Sequence, residues 1–347
     1  MRMIMGGDFQ HLRVSYSLLC NMRRIYIIAL VYFFPMLFSL VEGGRIGVEC
    51  HAQTIIELKK GGGVRSKNME DYKSDVKYQK RMAEDSIRYV DNLRRAFNAL
   101  HTDSTMQAEA YFKEALRLRP DAPGNHIIKY NLGLLDMTRG RNKEAVTTLT
   151  DIIAKYPNYS EARIARAEAN LQLDHANEAL EDAQQVIEKA ALLETSTDVV
   201  EKAHFIKAAS RFQLHLYPEA HIELQNIIKD NPQNANAQIL DALTLQQMGQ
   251  PKEALNRLNM IVSAQPDNVD ALTTRASVEQ QLGLQALARA DYDVLIKMFP
   301  NESSYYIERA KTLLNLGEKK LAQKDLKTAI ALGVPQGMVH PLLQQTR

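Results

Sequence analysis

Small and apolar residues recur at a fixed spacing along most of this chain. An alanine is followed four residues later by a mostly apolar residue, and by another three residues after that, a spacing that places all three on one face of an α-helix. The alanines lie 37, 34, 41, 34, 34 and 34 residues apart and are Ala108, Ala145, Ala179, Ala220, Ala254, Ala288 and Ala322. The pattern predicts one amphipathic helix repeated seven times, which indicates a repeat architecture.

A second helix is predicted before each of these. Twelve residues before each alanine lies another residue no larger than alanine, namely Ala96, Gly133, Ala167, Ala208, Ala242, Ala276 and Ala310. Two helices approach closely only where their side chains are small, so the paired positions predict a hairpin in which a first helix, helix A, crosses a second, helix B.

The ends of the predicted helices carry their own signals. Proline ends most B helices because it lacks the backbone N–H and clashes in a helix interior. Glycine is expected in the turn from helix A to helix B, where a positive φ costs it little. The prolines are Pro120, Pro157, Pro232, Pro266 and Pro300, and the glycines are Gly140, Gly249, Gly283 and Gly317.

These positions resemble the tetratricopeptide repeat (TPR), with small residues at positions 8 and 20, a large apolar residue at 24 and proline at 32. The resemblance covers residues 86–335 and implies an all-α fold, a right-handed superhelical solenoid of about seven helical hairpins with helix A on its concave side. The chain resembles exported bacterial TPR proteins. The family's aromatic residue at position 4 is kept only as Tyr306, and the third repeat has Ala191 in place of proline. About seven extra residues, 192–198, precede the fourth repeat and predict a longer helix B or a loop.

The chain before the repeats predicts export. An apolar run over residues 25–41 follows Arg23 and Arg24, the layout of a secretory signal. We therefore assign residues 1–52 to a leader, with cleavage before Gln53 and Met22 as an alternative start, and expect a periplasmic or secreted protein. There are two alternatives. The apolar run could be an uncleaved membrane anchor, which would then be the protein's contact with the membrane, or Cys50 could carry a lipid.

The remaining segments flank the repeats. Residues 53–85 are predicted to form a linker and a helical entry, with the helix starting near Met82. Residues 336–347 are predicted to form a C-terminal cap, the alternative being a segment that docks a partner.

Composition and motifs give no indication of catalysis. The net charge of +2 offers no basis for binding nucleic acid, and both cysteines, Cys20 and Cys50, lie in the leader. The histidines show no metal-binding spacing, and no glycine-rich loop carries the lysine of a phosphate site. We therefore predict a protein that is not an enzyme and has no metal or cofactor.

One row of polar residues is the candidate binding site. Repeat position 13 reads Gln172, Gln213, Gln247, Gln281 and Asn315 in five successive repeats. Amides both donate and accept hydrogen bonds, so such a row suits the backbone of an extended peptide. Tyr130, Phe205 and Phe212 are the predicted apolar contacts of the same groove. The alternative is that these amides only solubilise the ends of the A helices.

The sequence thus predicts a noncatalytic, exported scaffold that binds a protein or peptide partner in its groove. The alternatives are a membrane-tethered assembly factor of the cell envelope and an enzyme subunit with a site in the groove.

Overall fold

The computed structural model describes residues 69–346, which contain fifteen α-helices and no β-strand. The chain divides into two compact units, of which residues 69–148 and 149–346 are described. The predicted leader and most of the predicted linker lie outside the described residues. None of the described helices is both long and apolar enough to cross a membrane.

The helices alternate as A and B of seven hairpins, followed by one more helix. The first three hairpins are α1 (Met69–His101) with α2 (Thr105–Leu118), α3 (Asn125–Thr138) with α4 (Asn142–Lys155), and α5 (Ser160–Gln172) with α6 (Ala176–Lys189). The next four are α7 (Thr197–Gln213) with α8 (Tyr217–Asp230), α9 (Ala235–Gln247) with α10 (Pro251–Ala264), α11 (Val269–Gln281) with α12 (Gln285–Met298), and α13 (Ser303–Asn315) with α14 (Lys319–Ala331); α15 is Gln336–Gln345. The all-α class and the repeated hairpins are confirmed.

The small residues lie where the hairpins are most tightly packed. All seven alanines at position 20 have no exposed surface, and neither has any of the six alanines at position 8. Gly133, the remaining member of the set, is also buried. Any larger side chain at these positions would have to displace the facing helix, because protein interiors are close-packed.

In the unit of residues 69–148, the core lies between α1, α2 and α3. Phe97 and Phe112 meet edge to face with ring centroids 5.3 Å apart, a favourable arrangement for two aromatic rings. Phe112 and Ala115 from α2 and Ile128 from α3 are buried in the same cluster. The first helix begins at Met69, earlier than the start near Met82 that the apolar pattern predicted.

In the unit of residues 149–346, each hairpin packs on the next one. The A helices α5, α7, α9 and α11 contact one another in succession, and each B helix from α6 to α12 contacts the following A helix. Val339 of α15 is 1% exposed and packs with Leu326, Leu313 and Ala310 of the last hairpin. The final helix therefore covers apolar surface that a further repeat would otherwise cover.

Every turn from helix A to helix B contains one residue with positive φ at repeat position 15. Four of these are the expected glycines, whose φ angles are 72° to 78°. In the other three repeats Asp103, Asp174 and His215 adopt φ angles of 53° to 61°. The glycine prediction is confirmed, and the left-handed conformation follows from the turn itself rather than from glycine.

The extra residues before the fourth repeat form a loop. Helix α6 ends at Lys189, and α7 begins at Thr197 after a turn in which Glu194 has a φ of 49°. The A helix α7 has 17 residues, whereas α5, α9, α11 and α13 have 13. The predicted loop is confirmed, and the lengthened helix is helix A rather than helix B.

Candidate ligand-binding face at the ends of the A helices

The five amides at position 13 share one structural place. Each is the last residue of its A helix and lies two positions before the residue with positive φ. These residues are Gln172 in α5, Gln213 in α7, Gln247 in α9, Gln281 in α11 and Asn315 in α13. Because the backbone position is the same in each repeat, the side chains leave their helices at regular intervals, as a row of contacts to a peptide requires.

Burial divides this row into two parts. Gln172 and Gln213 are half-buried, whereas Gln247, Gln281 and Asn315 are exposed. The side-chain amide of Gln213 donates a hydrogen bond to the carbonyl oxygen of Leu171, in the preceding A helix, at 3.0 Å. Gln213 is therefore part of the contact between two repeats, and its removal should destabilise the fold.

The neighbouring glutamines at position 12 join successive A helices. The side-chain amide of Gln280 donates to the Thr312 hydroxyl at 2.7 Å and to the Glu308 carbonyl oxygen at 3.3 Å. The amide of Gln246 lies 3.4 Å from the Ser277 hydroxyl that it donates to. These bonds tie α9 to α11 and α11 to α13, and so fix how far apart the exposed amides stand.

The aromatic residues expected to line the groove are buried. Tyr130, Phe205 and Phe212 are each only 7% exposed. Phe205 and Phe212 belong to a hydrophobic core that extends from α5 to α9, and the Phe212 ring lies edge-on to that of Tyr217 at 5.5 Å. Their role as apolar contacts of a bound peptide stays a prediction, and the low exposure leaves little of each ring open to a ligand.

A ladder of ion pairs, which the sequence reasoning missed, links the hairpins. In three repeats an arginine of helix A contacts both carboxylate oxygens of an aspartate in helix B, sixteen residues later, at 2.7 to 2.8 Å: Arg166 and Asp182, Arg275 and Asp291, Arg309 and Asp325. The aspartates are buried, and a buried carboxylate requires such pairing. Opposite charges spaced by sixteen residues were the signal in the sequence.

Each of these arginines also reaches the preceding B helix. The third guanidinium nitrogen of each arginine donates to the side chain of the residue sixteen positions earlier. Arg166 contacts Thr150 at 3.1 Å, Arg275 contacts Asn259 at 3.1 Å, and Arg309 contacts Asp293 at 2.7 Å. One side chain therefore joins its own hairpin to the residue sixteen positions earlier on the preceding B helix. The fourth repeat uses Lys207 and Glu223, 2.9 Å apart, at the same two positions.

Two further glutamates are buried, and one of them, Glu279, lies 4.0 Å from the ladder residue Arg275. Burial raises the pKa of Glu279 to about 7, reinforced by the Asp291 charge and opposed by Arg275. Burial likewise raises the pKa of Glu168 to about 7, and the positive charge of Lys202 opposes it. Neither glutamate lies in a group of three His, Cys, Asp or Glu side chains that could hold a metal ion; no such group occurs in residues 69–346.

Comparison with known proteins adds a family and a fold. The family model of the tetratricopeptide repeat matches residues 130–192 and 239–303. No curated protein sequence matches the chain.

Several solved structures are similar in fold. A tetratricopeptide repeat protein of Parabacteroides merdae ATCC 43184 is 22% identical, with a TM-score of 0.61, and the match covers 75% of this chain and 98% of that one. A chain of the Cut9–Hcn1 hetero-tetramer of the APC/C is 13% identical, with a TM-score of 0.55, over 80% of this chain and 58% of that one. At these identities the likeness concerns the fold alone.

Proposed function

Because this chain is a tetratricopeptide-repeat protein, we propose that it is a noncatalytic scaffold that holds an extended segment of a partner protein along the ends of its A helices. The observation that carries the proposal is the set of three exposed amides, Gln247, Gln281 and Asn315, at one position of three consecutive repeats. Interaction with other proteins is what the tetratricopeptide fold suggests in general. The amide row gives that interaction a place on this chain.

The spacing of the repeats suits an extended backbone. Packed helices lie roughly 8–10 Å apart, and an extended chain advances about 3.3 Å per residue. One amide would therefore meet every third residue of a peptide that crosses α9, α11 and α13. Each amide offers one acceptor and two donor hydrogens, and so can pair with either polar group of a peptide bond.

The fold leaves the three exposed amides of the row open to a ligand. The amides at position 12 make the bonds between A helices, whereas Gln247, Gln281 and Asn315 point their exposed side chains to solvent. Exposed amides on helices that are hydrogen-bonded to one another lose less freedom on binding than amides on a loop, which favours recognition over mere solubility.

The test is capture of partners with a variant and a matched control. The full chain, tagged at its C-terminus and expressed in its host, is used to recover partners from cell-envelope extracts, which are identified by mass spectrometry. Gln247→Ala, Gln281→Ala and Asn315→Ala together should weaken binding by roughly 1.5–4.5 kcal/mol if three net bonds of 0.5–1.5 kcal/mol are lost.

The control variant changes exposed amides on the B helices. Gln184→Ala, Asn226→Ala and Asn256→Ala remove the same kind of group from α6, α8 and α10, where the residues are exposed. This variant should bind as the parent does. Equal binding by both triple variants would exclude the amide row as the contact, and loss of binding by both would point to an effect unrelated to this face.

We also propose that the protein is exported. The support is in the sequence, where Arg23 and Arg24 precede the apolar run of residues 25–41, outside the described residues. N-terminal sequencing of the protein from its host should begin at or near Gln53. An intact N-terminus in the membrane fraction would favour the tethered assembly factor instead, and intact protein in the cytosol would remove the proposal.

A further inference from the structure

The last B helix carries an exposed basic face. Lys320, Lys324 and Lys327 of α14 are exposed and are spaced four and three residues apart, which places them along one side of the helix. With them, Gln323, Thr328 and Ala331 line a shallow groove of about 400 Å³.

The acidic groups near this face are already paired. Both oxygens of Asp325 bind Arg309 at 2.7 to 2.8 Å, and Glu318 binds Arg289 at 2.8 Å. Among the described residues, no carboxylate forms an ion pair with Lys320, Lys324 or Lys327. Three ammonium groups on one helix face thus have no paired carboxylate within residues 69–346.

The repeat pattern shows why Lys327 has no partner on a following helix. At the equivalent position of the two preceding repeats, Asn259 and Asp293 each bind the arginine of the next A helix. The residue 34 positions beyond Arg309 is Leu343, in α15. The final helix supplies apolar contacts to the end of the array but no charged group at this position.

A face of opposite charge lies on α6. Glu178, Glu181 and Glu188 are exposed there, and the fourth acid of the helix, Asp182, is held by Arg166. None of the three glutamates forms an ion pair among the described residues. Lys189 is the one basic residue of α6, so the helix carries a net charge of −3, whereas α14 carries +3.

We propose that the basic face of α14 binds the acidic face of α6 of a second copy of this chain. Lys320 and Lys327 are seven residues apart, as are Glu181 and Glu188, and seven residues of helix span about 10.5 Å. The two outer charges of one face can therefore meet those of the other at the same time. The middle of the contact would place Lys324 near the polar Gln185, whose amide binds Glu181 at 3.2 Å.

This contact joins two different surfaces, so a pair of copies keeps one free basic face on one copy and one free acidic face on the other. A contact of that kind adds further copies head to tail, unless the rotation closes a ring. Exposed ion pairs are weak and are screened by salt. We therefore expect reversible association that is strong at low ionic strength and lost at high ionic strength.

Sedimentation velocity of the full chain tests this first. At ~20 mM salt the weight-average mass should rise with protein concentration, and at ~0.5 M salt it should return to that of one chain, since the Debye length falls to a few ångströms. A mass that stays at one chain over the whole concentration range at low salt would overturn the proposal, as would an oligomer that salt does not weaken.

Charge reversal identifies the two faces. The variant K320E/K324E/K327E and the variant E178K/E181K/E188K should each associate on the order of tenfold or more weakly than the parent. Mixing the two variants should restore association, because the acidic α14 of one then faces the basic α6 of the other. A third variant, K229E/K252E/K297E, makes the same change in net charge at exposed lysines of other B helices and should associate as the parent does.

These outcomes separate a specific contact from general charge effects. Rescue by mixing, with the control unaffected, supports the pairing of α6 and α14. Failure of the mixture to associate, or an equal loss in the control variant, overturns it. Circular dichroism of each variant shows that the helices are retained, which surface substitutions of this kind rarely disturb.

Discussion

The guanidinium of Arg257 lies 3.1 Å from the carboxylate of Asp241, which is completely buried. This pair occupies the two ladder positions of the fifth repeat with its charges exchanged: the acid is on helix A and the base on helix B. His221 and Gln225 of the preceding B helix contact the same carboxylate at 2.6 and 2.8 Å. Burial raises the pKa of Asp241, and Arg257 opposes this shift.

The exchanged pair makes a double-mutant cycle possible. Asp241→Arg alone would place two guanidinium groups together in a buried site, and breaking a buried pair costs about 3–5 kcal/mol. Adding Arg257→Asp restores the arrangement seen at Arg275 and Asp291 in the next repeat. We expect the two changes to couple by about 0.5–3 kcal/mol in urea unfolding. Additive losses would show that the two side chains do not act as a pair.

The two parts of the amide row should differ in their effect on stability. Gln213→Ala removes the bond to the Leu171 carbonyl oxygen, and the free energy of unfolding should fall by about 0.5–1.5 kcal/mol. Gln247→Ala changes an exposed side chain and should stay within about 0.5 kcal/mol of the parent. Thermal or urea unfolding measures both. Equal effects of the two substitutions would contradict the division of the row.

The close crossing of helices A and B can be tested at Ala254, which has no exposed surface. Leucine there should overpack the site and cost roughly 1–3 kcal/mol. Repeat arrays are stabilised largely through neighbouring interfaces, so hydrogen exchange should rise most in α9 to α12. Asn256→Leu, two residues away and exposed, is the control. Uniform loss of protection, or no loss, would contradict the assigned crossing point.

The turns from helix A to helix B predict a loss of stability for one substitution and none for another. Gly249 has a φ of 77°, and a Cβ built there meets no atom within 4 Å. Gly249→Ala should therefore cost about 1–2 kcal/mol through backbone conformation alone. Asp174, with a φ of 60°, should tolerate glycine without loss. Destabilisation by Asp174→Gly as large as that by Gly249→Ala would show that side-chain contacts, not φ, decide these positions.

Glu279 predicts a dependence of stability on pH. Its pKa is about 7 in the folded protein because it is buried, against an ordinary value of 4.5. Between these values the folded state holds a proton that the unfolded chain has lost, so the contribution of Glu279 to stability falls as pH rises through this window.

Glu279→Gln removes this titration. The variant should be close to the parent at pH 4.5 and more stable by about 1–3 kcal/mol above pH 7, because the neutral amide has no charge to bury. Urea unfolding at several pH values measures the difference, and Glu253→Gln, which removes an exposed carboxylate, is the control. A difference between parent and Glu279→Gln that does not change with pH would contradict the prediction.

The sequence by itself determined the repeat period, the hairpins, the buried small residues and the left-handed turns that contain glycine. These features depend on local spacing and on the size of single side chains, and both can be read from the sequence alone. Ala254 and Ala242 had to be small wherever helices A and B cross, and Gly249 had to allow a positive φ in any turn of this kind.

Only the tertiary structure decided which position-13 amides are exposed, where Phe205 and Phe212 lie and which charges pair across helices. Gln213 and Gln247 have the same position in their repeats, yet one binds the neighbouring helix and the other faces solvent. The difference arises from the neighbouring repeat, because the amide of Gln213 reaches the carbonyl oxygen of Leu171 in the preceding A helix. Exposure and pairing are properties of the surroundings, and those are set by residues far away in the chain.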